Sequence, residues 1–507
     1  MAARVAGGPY AVRLALAFLS GLGLAVGQVP LSLWFVALPA LAVAIWLVAT
    51  EPRWRHAAGL GLAFGAGHFG LALNWITEPF QVDAARDGWM APFALVFLAI
   101  GLGLFWAAAA GLAARTGRAQ AGRALAFALA LATAEIVRGH ILTGFPWVLI
   151  GHIWLGSAPE QVAALIGAYG LTVMTLAMAS AVVVSPPRGG AFAVLLLASI
   201  WGFGLWRSGL PVPDGPGAVI RVVQPNAAQH LKWDPAKARE FMDRQLSLTA
   251  APAGDLGQAD LVIWPETAVS FLLGNPGTGL ERIVQAAGGA QVALGIQRVE
   301  GWRGFNSLAL IGPQADIRAV YDKHHLVPFG EYVPLGDLAA NLLGITAFAA
   351  QEGFGYTAGA GPKLLDLGPL GRALPLICYE AVFPQDIRRT DRADWMLHAT
   401  NDAWFGDRAG PYQHLSLARL RAIEQGLPLV RAANTGVSAV IDARGRVLAQ
   451  IGLNKAGYLD VALPGALTAT PYARWGEVPV LVALALLWAS LLIIRRRLGI
   501  DPAGGAQ

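Results

Sequence analysis

Three segments of the sequence place a reactive side chain directly after an apolar run: Glu266 in VIWPET, Lys323 in VYDKHHLVPFGEYVP and Cys378 in LPLICYE. A carboxylate, an amine and a thiol are the parts needed for nucleophilic acyl transfer. The carboxylate takes the thiol proton, the thiolate attacks a carbonyl, and the ammonium stabilises the oxyanion that develops. Cys is the most capable nucleophile of the three, because its thiolate is accessible near neutral pH beside a cation. Burial would raise the thiol pKa and Lys323 would lower it. Each residue alone also fits a structural role: a lone Cys as a small buried hydrophobe, Glu266 as a helix N-terminal charge, Lys323 as half of a solvated pair with Asp322. Against those readings, Tyr379 and Glu380 follow the Cys at once, and Lys323 is one of only five lysines. Cys378 is the sole cysteine, which excludes disulfides and Cys-based zinc or iron–sulfur sites. His324 and His325 are not expected to bind metal, because neighbours on a strand point to opposite faces.

These groups need elements to hold them. Residues 218–226 and 259–269 are apolar runs that end in polar residues, as buried strands do when they feed a site. Between them, 234–251 has an Asp at the N-cap position, Pro at the first helical position and amphipathic spacing, which predicts a helix. Further strands are expected at 291–299, 306–312, 373–378, 394–400, 437–442 and 447–451. A helix at about 413–426 would turn Leu415, Ala418, Ala422 and Ile423 to one face. Buried strands interleaved with helices predict a layered α/β domain with two sheets.

The rest of the chain is of another kind. Of 507 residues, 55% are hydrophobic and only 14% charged, against about 25% charged in an ordinary soluble domain. The apolar runs fall at about 11–27, 31–49, 57–76, 90–113, 122–138, 160–184 and 190–206, with an eighth at 478–494. A bilayer core needs about 20 apolar residues per helix, so eight spans are expected, the first and fifth being short. The first is expected to be a retained anchor, since no small-x-small cleavage site followed by a soluble region appears. Alternate loops carry eleven Arg, from Arg4 to Arg497, while the opposite loops among the first seven spans hold only Arg86 and Arg138, setting aside Arg207 at the mouth of the large domain. The positive-inside rule then puts both termini in the cytoplasm and the α/β domain on the outer face. Three regions follow: a seven-helix membrane domain at 1–207, an outer domain at 208–476, and an eighth helix with a basic tail at 477–507. The outer region holds 23 basic and 24 acidic residues, so the net charge of +5 is topological and no basic stripe exists for nucleic acid.

Glu266, Lys323 and Cys378, in that order and those contexts, resemble the Glu-Lys-Cys triad of the nitrilase superfamily. NDAWFGD (401–407) and RAANTGVSAVIDARG (431–445) resemble its later segments, and GFPW (144–147) resembles a motif of its membrane-embedded branch. Over nearly the whole chain the arrangement is similar to the apolipoprotein N-acyltransferase family of bacterial lipoprotein maturation. The resemblance implies a polytopic α-helical membrane protein with an inserted nitrilase-like domain of αββα sandwich type, in the inner membrane with its catalytic domain on the periplasmic side.

It also implies a reaction. A phospholipid, typically phosphatidylethanolamine, would give its sn-1 acyl chain to Cys378 as a thioester. The acyl group would then pass to the α-amine of the diacylglyceryl-cysteine of an apolipoprotein, a ping-pong course without cofactor or metal. Glu266 would be the base, and Lys323 with a backbone N–H after Cys378 would hold the oxyanion. Glu331 matches a supporting glutamate of the family, and Tyr379 and Glu380 match residues that shape the site after the nucleophile.

A thioester must be kept from water. Segment 336–362, Gly-rich and unusually apolar, fits a lid or membrane-dipping arm as well as an ordinary packed insertion. Trp233, Phe329, Trp404 and Trp147 are candidates to line the lipid path, since Trp pairs an apolar ring with one polar N–H. Arg138 shares a helix face with Glu135, which fits either a structural pair or a grip on the lipid headgroup. A tethered amidase acting on a small soluble amide would explain the triad but not seven preceding spans. A transporter would need paired polar residues deep in several spans, which offer little beyond Asn74, His68 and Glu135. Retention of all three triad members disfavours an inactive scaffold.

Overall fold

The computed structural model describes residues 8–334 and 355–497, and divides them between two compact units. One comprises the chain up to Thr77, Trp89–Gly209 and the segment from Pro471 onward. The other comprises Glu78–Gly88 and Leu210–Thr470. Arg4 and residues 336–354 of the expected lid segment lie outside the described residues.

The first unit is helical. Its principal helices are α1 (Tyr10–Ala25), α2 (Trp34–Ala49), α3 (Trp54–Ala72), α4 (Ala91–Thr116), α5 (Gln120–Arg138), α6 (Ala163–Val184), α7 (Pro186–Gly209) and, after the second unit, a helix at Val478–Arg497. These eight occupy the eight apolar runs of the sequence. Among the described residues, five helices are long and apolar enough to cross a bilayer: α4 to α7 and Val478–Arg497. The fifth, expected to be short, is 19 residues and passes. The two 16-residue helices α1 and α2 extend only about 24 Å at 1.5 Å per residue. Close packing of small residues holds the bundle: a Cβ on Gly21 would meet the Phe64 carbonyl at 2.1 Å, and one on Gly61 the Trp106 carbonyl at 2.4 Å.

The buried polar residues of this unit are paired, as the absence of water requires. Arg13 donates to Glu51 at 2.7 Å. Arg138 donates to both Glu135 oxygens (3.1 and 2.9 Å) and to the carbonyls of Phe145 and Trp147, while Trp106 also donates to Glu135. Arg138 is only 2% exposed, and its guanidinium fastens the GFPW turn to α5.

The second unit contains two six-stranded sheets. Its elements are β1 (Val219–Gln224), α8 (Pro235–Thr249), β2 (Leu261–Ile263), α9 (Gly279–Ala287), β3 (Gln291–Glu300), β4 (Arg303–Ile311), β5 (Ile317–Asp322), β6 (Leu365–Asp366), β7 (Arg372–Ile377), β8 (Trp395–Thr400), α10 (Gly410–Gln425), β9 (Leu429–Ala433), β10 (Ser438–Ile441), β11 (Val447–Ile451) and β12 (Gly457–Ala462). The sheet orders are β12-β1-β2-β3-β4-β5 and β11-β10-β9-β8-β7-β6. In each, three central strands are parallel, β1-β2-β3 and β7-β8-β9, and the flanking pairs are antiparallel. Parallel strands are buried on both faces and read as continuous apolar runs, which is why β1, β2, β3, β7 and β8 stood out in the sequence, while β9, equally buried, was not expected.

Helices cover the outer faces. Ile283 and Leu280 of α9 and Met242 and Leu246 of α8 pack on Val262, Val292, Leu294 and Ile311. On the other sheet, Leu415, Ala418 and Ala422 of α10 pack on Leu374, Met396, Leu429 and Ile441. Each fully buried Leu, Ile, Val or Met among these contributes about 1.5–3 kcal/mol. Asp234 caps α8, accepting from the amides of Ala236 and Lys237 at 3.0 Å each, as its position predicts. Between the sheets, Gln224 of β1 accepts from the backbone amide of Ser438 in β10 at 3.0 Å.

Two expectations change. The apolar run 259–269 is strand only at Leu261–Ile263, and the chain then turns sharply through the Glu266 segment. Helix α10 is buried on its polar face as well, because His414, Arg421 and Glu424 find partners inside.

Candidate active site

The four reactive side chains come from strand ends of the two sheets. Glu266 follows β2, Lys323 follows β5, Glu331 lies in the tight turn beyond it, and Cys378 follows β7. All four are buried, between 1% and 6% exposed. Lys323 Nζ stands 2.8 Å from Glu331 Oε2 and 3.6 Å from Glu266 Oε1. Asn306 of β4 bridges the two carboxylates with one amide nitrogen, at 2.7 Å to Glu266 and 3.1 Å to Glu331. The other Glu266 oxygen accepts from the backbone amide of Asn401, after β8, at 2.8 Å. Gly295 in β3 lets the Glu266 turn approach, since a Cβ there would meet the Pro265 carbonyl at 2.0 Å.

Cys378 has φ +50°, a left-handed conformation that costs a non-glycine residue about 1–3 kcal/mol. Three sets of contacts hold it there. Glu380, fully buried, accepts from the Ile377 amide at 2.7 Å, closing the turn that starts at the nucleophile. The same carboxylate accepts from the Tyr321 hydroxyl at 2.9 Å and the His324 amide at 2.8 Å, linking the Cys378 turn to the Lys323 segment. The Cys378 carbonyl is met by His398 Nε2 at 3.0 Å and His414 Nε2 at 3.1 Å. Arg431 donates to His398 Nδ1 at 2.8 Å. That ring's remaining hydrogen is thereby assigned to Nε2, facing Cys378. Asp402 accepts from Thr400 at 3.0 Å, pairs with His414 at 2.9 Å and with Arg431, and completes the buried network. Arg431 and His414 outweigh burial and hold the Asp402 carboxyl well below its ordinary range.

Burial, reinforced by Glu266, pushes the Cys378 thiol well above its usual pKa, while Lys323 and a hydrogen bond with Thr400 oppose the rise. Burial outweighs the lysine, so the resting nucleophile is a thiol that needs a base. Burial also raises Glu266, against the pull of Lys323. A carboxylate with raised pKa beside a thiol with raised pKa is the pairing that general base catalysis uses. For Lys323, burial acts to lower the pKa, but Glu331, Glu266 and Cys378 together raise it, so it stays an ammonium.

The remaining candidates fall in different places. Tyr379 is buried and packs edge-on against Phe383, with ring centroids 4.8 Å apart. Phe329 is 53% exposed at the tip of the turn that carries Glu331, with φ +63°. Trp233 is half-buried and, with Lys232, Phe241, Met242 and Phe271, lines a small cavity of about 40 Å³. Trp404 is half-buried in the turn after Asn401. Trp147 belongs to the helical unit, where it is 1% exposed and packs on Trp75 at 4.8 Å.

His324 and His325 do not point apart as expected. The chain has left β5 at Asp322, and both rings reach Asp386, His325 Nδ1 at 2.8 Å and His324 Nε2 at 3.5 Å. Partial burial would lower the His324 pKa, but its hydrogen bonds to the Asp386 and Glu380 carboxylates raise it to about 9. The two rings and the Asp386 carboxylate bring their ligand-type atoms within 4.8 Å of one another, a grouping the strand rule did not predict.

The sequence analysis missed Asn306, Asn401, Thr400, His398, His414, Asp402, Arg431 and Lys232. Asn401 and Asp402 lie in the NDAWFGD segment and Arg431 opens RAANTGVSAV, so the pattern marked the segments without giving the roles. His398, within β8, and His414, on α10, carry no local signal.

Residues 220–472 match the carbon-nitrogen hydrolase family, and residues 20–182 match the apolipoprotein N-acyltransferase N-terminal domain. The apolipoprotein N-acyltransferase of Caulobacter vibrioides is 43% identical over 87% of this chain and 86% of its own length. That of Bradyrhizobium diazoefficiens is 39% identical over 92% of each. Among solved structures, a CN-hydrolase superfamily protein from Xanthomonas campestris aligns with 52% of this chain and 96% of its own, at 23% identity and a TM-score of 0.35.

Proposed function

Since this chain belongs to the apolipoprotein N-acyltransferase family, an acyltransferase of the bacterial inner membrane with lipid and lipoprotein substrates, we propose that it works through a thioester on Cys378. Glu266 takes the thiol proton as Sγ attacks the sn-1 ester carbonyl of a phospholipid, phosphatidylethanolamine in the first instance. Lys323 and the backbone N–H after Cys378 hold the tetrahedral oxyanion. The intermediate collapses by breaking the acyl C–O bond, and Glu266 returns the proton to the departing lysophospholipid oxygen. In the second half, the α-amine of a diacylglyceryl-cysteine attacks the thioester carbonyl. Glu266 takes a proton from that nitrogen, the C–S bond breaks, and the thiolate recovers the proton as the amide forms.

The observation that carries this reading is a buried thiol at a strained turn together with a buried Glu266–Lys323 pair 3.6 Å apart whose charges act on it. The loop-charge pattern supports an outer-face catalytic domain with both termini cytoplasmic, where lipid-anchored substrates present their reactive groups. Purified protein incubated with phospholipid is expected to gain one acyl mass that hydroxylamine removes, and Cys378→Ala is expected to gain none. A diacylated lipopeptide should discharge the adduct and become triacylated. Absence of any adduct on Cys378 sinks the thioester mechanism. An adduct that water but not the lipopeptide discharges points to a hydrolase acting on small acyl compounds.

A further inference from the structure

Lys232, just before α8, is a second buried lysine beside the catalytic base, 6% exposed. Its Nζ donates to the Thr267 hydroxyl at 2.9 Å and to the backbone carbonyl of Glu266 at 3.4 Å. Thr267 has φ +42°, and a β-branched residue in that region is a genuine outlier that its surroundings must enforce. On the far side, the Ala268 amide donates to the Gly295 carbonyl at 2.7 Å. The turn carrying Glu266 is thus pinned to β3 after Thr267, and to Lys232 through Glu266 and Thr267 themselves. No carboxylate oxygen lies within salt-bridge distance of Lys232 among the described residues, so its charge acts chiefly on the base, at longer range.

We infer that Lys232 is a positioning residue for Glu266: it clamps the strained Glu266–Thr267 turn and adds a second positive charge behind the base. The inference rests on the proposed role of Glu266 in acyl-enzyme formation. The charged and titratable groups facing Glu266 are Lys323 after β5, Glu331 in the following turn, Cys378 after β7, Tyr356, and Lys232. Of these, Lys323 and Lys232 favour the ionised carboxylate, while Glu331 opposes it. Burial lowers the Lys232 pKa to about 8, with Glu266 acting against that fall, so the lysine is charged across the acid side of neutrality where Glu266 must ionise. This Lys–Trp pair also explains the interest of Trp233: the two adjacent side chains line the same small cavity.

The test is the pH dependence of acyl-adduct formation, followed by intact mass on full-length protein in phospholipid micelles, for wild type, Lys232→Met and Lys232→Arg. Losing the charge raises the Glu266 pKa, so in Lys232→Met the acid limb should move up by about one pH unit, with the rate on that limb down about tenfold. Lys232→Arg keeps the charge but cannot place one compact ammonium on both acceptors. Its limb should stay at the wild-type position while its plateau falls several-fold. Variants with lowered melting temperature but wild-type limb and plateau overturn the inference and leave Lys232 a packing residue. If Lys232→Met does not fold, Lys232→Arg decides alone, a wild-type plateau overturning the clamp. A wild-type protein that forms no adduct defeats the acyl-enzyme reading itself, a result separate from either outcome.

Discussion

The ammonium of Lys323 lies 2.8 Å from the Glu331 carboxylate, closer than its 3.6 Å approach to Glu266. Glu331 is therefore the group that sets where the ammonium points, and Asn306 fixes the spacing by bridging both carboxylates. This geometry leaves Glu266 free to exchange a proton with the thiol while the lysine keeps its charge. The same turn closes on itself through the Val327 amide, which donates to Glu331 at 2.9 Å.

Glu331→Gln should therefore act on the transition state rather than on binding. With the nearer carboxylate gone, Lys323 is drawn toward Glu266 and away from the oxyanion. The rate of acyl-adduct formation should fall about 100-fold, the scale on which single oxyanion donors contribute, with the KM for phospholipid little changed. Single-turnover kinetics over a range of lipid concentrations read the two separately. An unchanged maximal rate would remove Glu331 from the site.

The thiol offers a test in which reactivity and catalysis part company. Burial first and Glu266 second hold the Cys378 pKa up, so iodoacetamide should alkylate the native protein slowly at neutral pH and faster as pH rises. In Glu266→Gln the negative charge is gone while Lys323 stays. The pH midpoint of alkylation should then move down, although acyl transfer from phospholipid is lost with its base. A midpoint that does not move means that the Glu266 charge does not reach the thiol.

The triad was legible in the sequence because each member follows an apolar strand in a distinctive short segment, and such segments survive as patterns in one dimension. The parallel strands β1, β2, β7 and β8 were legible for the same reason, being continuous apolar runs. What escaped were residues whose roles depend on register between distant elements. His398 and His414 meet at one carbonyl although they are on β8 and α10, and Asn306 reaches Glu266 only because β4 pairs with β3. The half-exposed edge strands β5 and β12 lack a continuous apolar run, and the buried β9 is a short run, Leu429–Ala433, broken by Arg431; none of the three was foreseen. The strand rule sends adjacent His residues to opposite faces, and it fails here because β5 stops at Asp322, one residue before Lys323.

The imidazole cradle should matter through the nucleophile's backbone. His414→Ala leaves the Cys378 carbonyl with His398 alone and Asp402 with Arg431 and Thr400. Loss of one buried hydrogen bond costs about 1–3 kcal/mol, so the melting temperature should fall. The adduct rate should fall about tenfold as the strained turn relaxes, a prediction checked by intact mass at fixed time points. His398→Ala should act similarly and less than additively in the double variant, because the two rings share one acceptor. Full additivity would mean that they do not work as a unit.

Asp386 makes a prediction about stability against pH. His324 has its pKa raised from 6.5 to about 9 in the fold, so its contribution is complete below 6.5 and is lost as pH rises through about 9. Asp386 is held well below its ordinary value of 3.8, burial being outweighed by His324 and His325. Its contribution is present above 3.8 and is lost as pH falls further. Together they place the strongest pairing between about pH 4 and pH 6.5. Arg389 adds an exposed contact at 3.5 Å that salt would screen. Asp386→Asn removes the shared carboxylate while keeping its shape. The melting temperature of the variant should lie below that of the wild type at pH 6, with the gap narrowing steadily toward pH 9.5 as His324 loses its proton in both. A gap of constant size over that range would show that the imidazole charge plays no part in tying the Lys323 segment to the turn after Cys378.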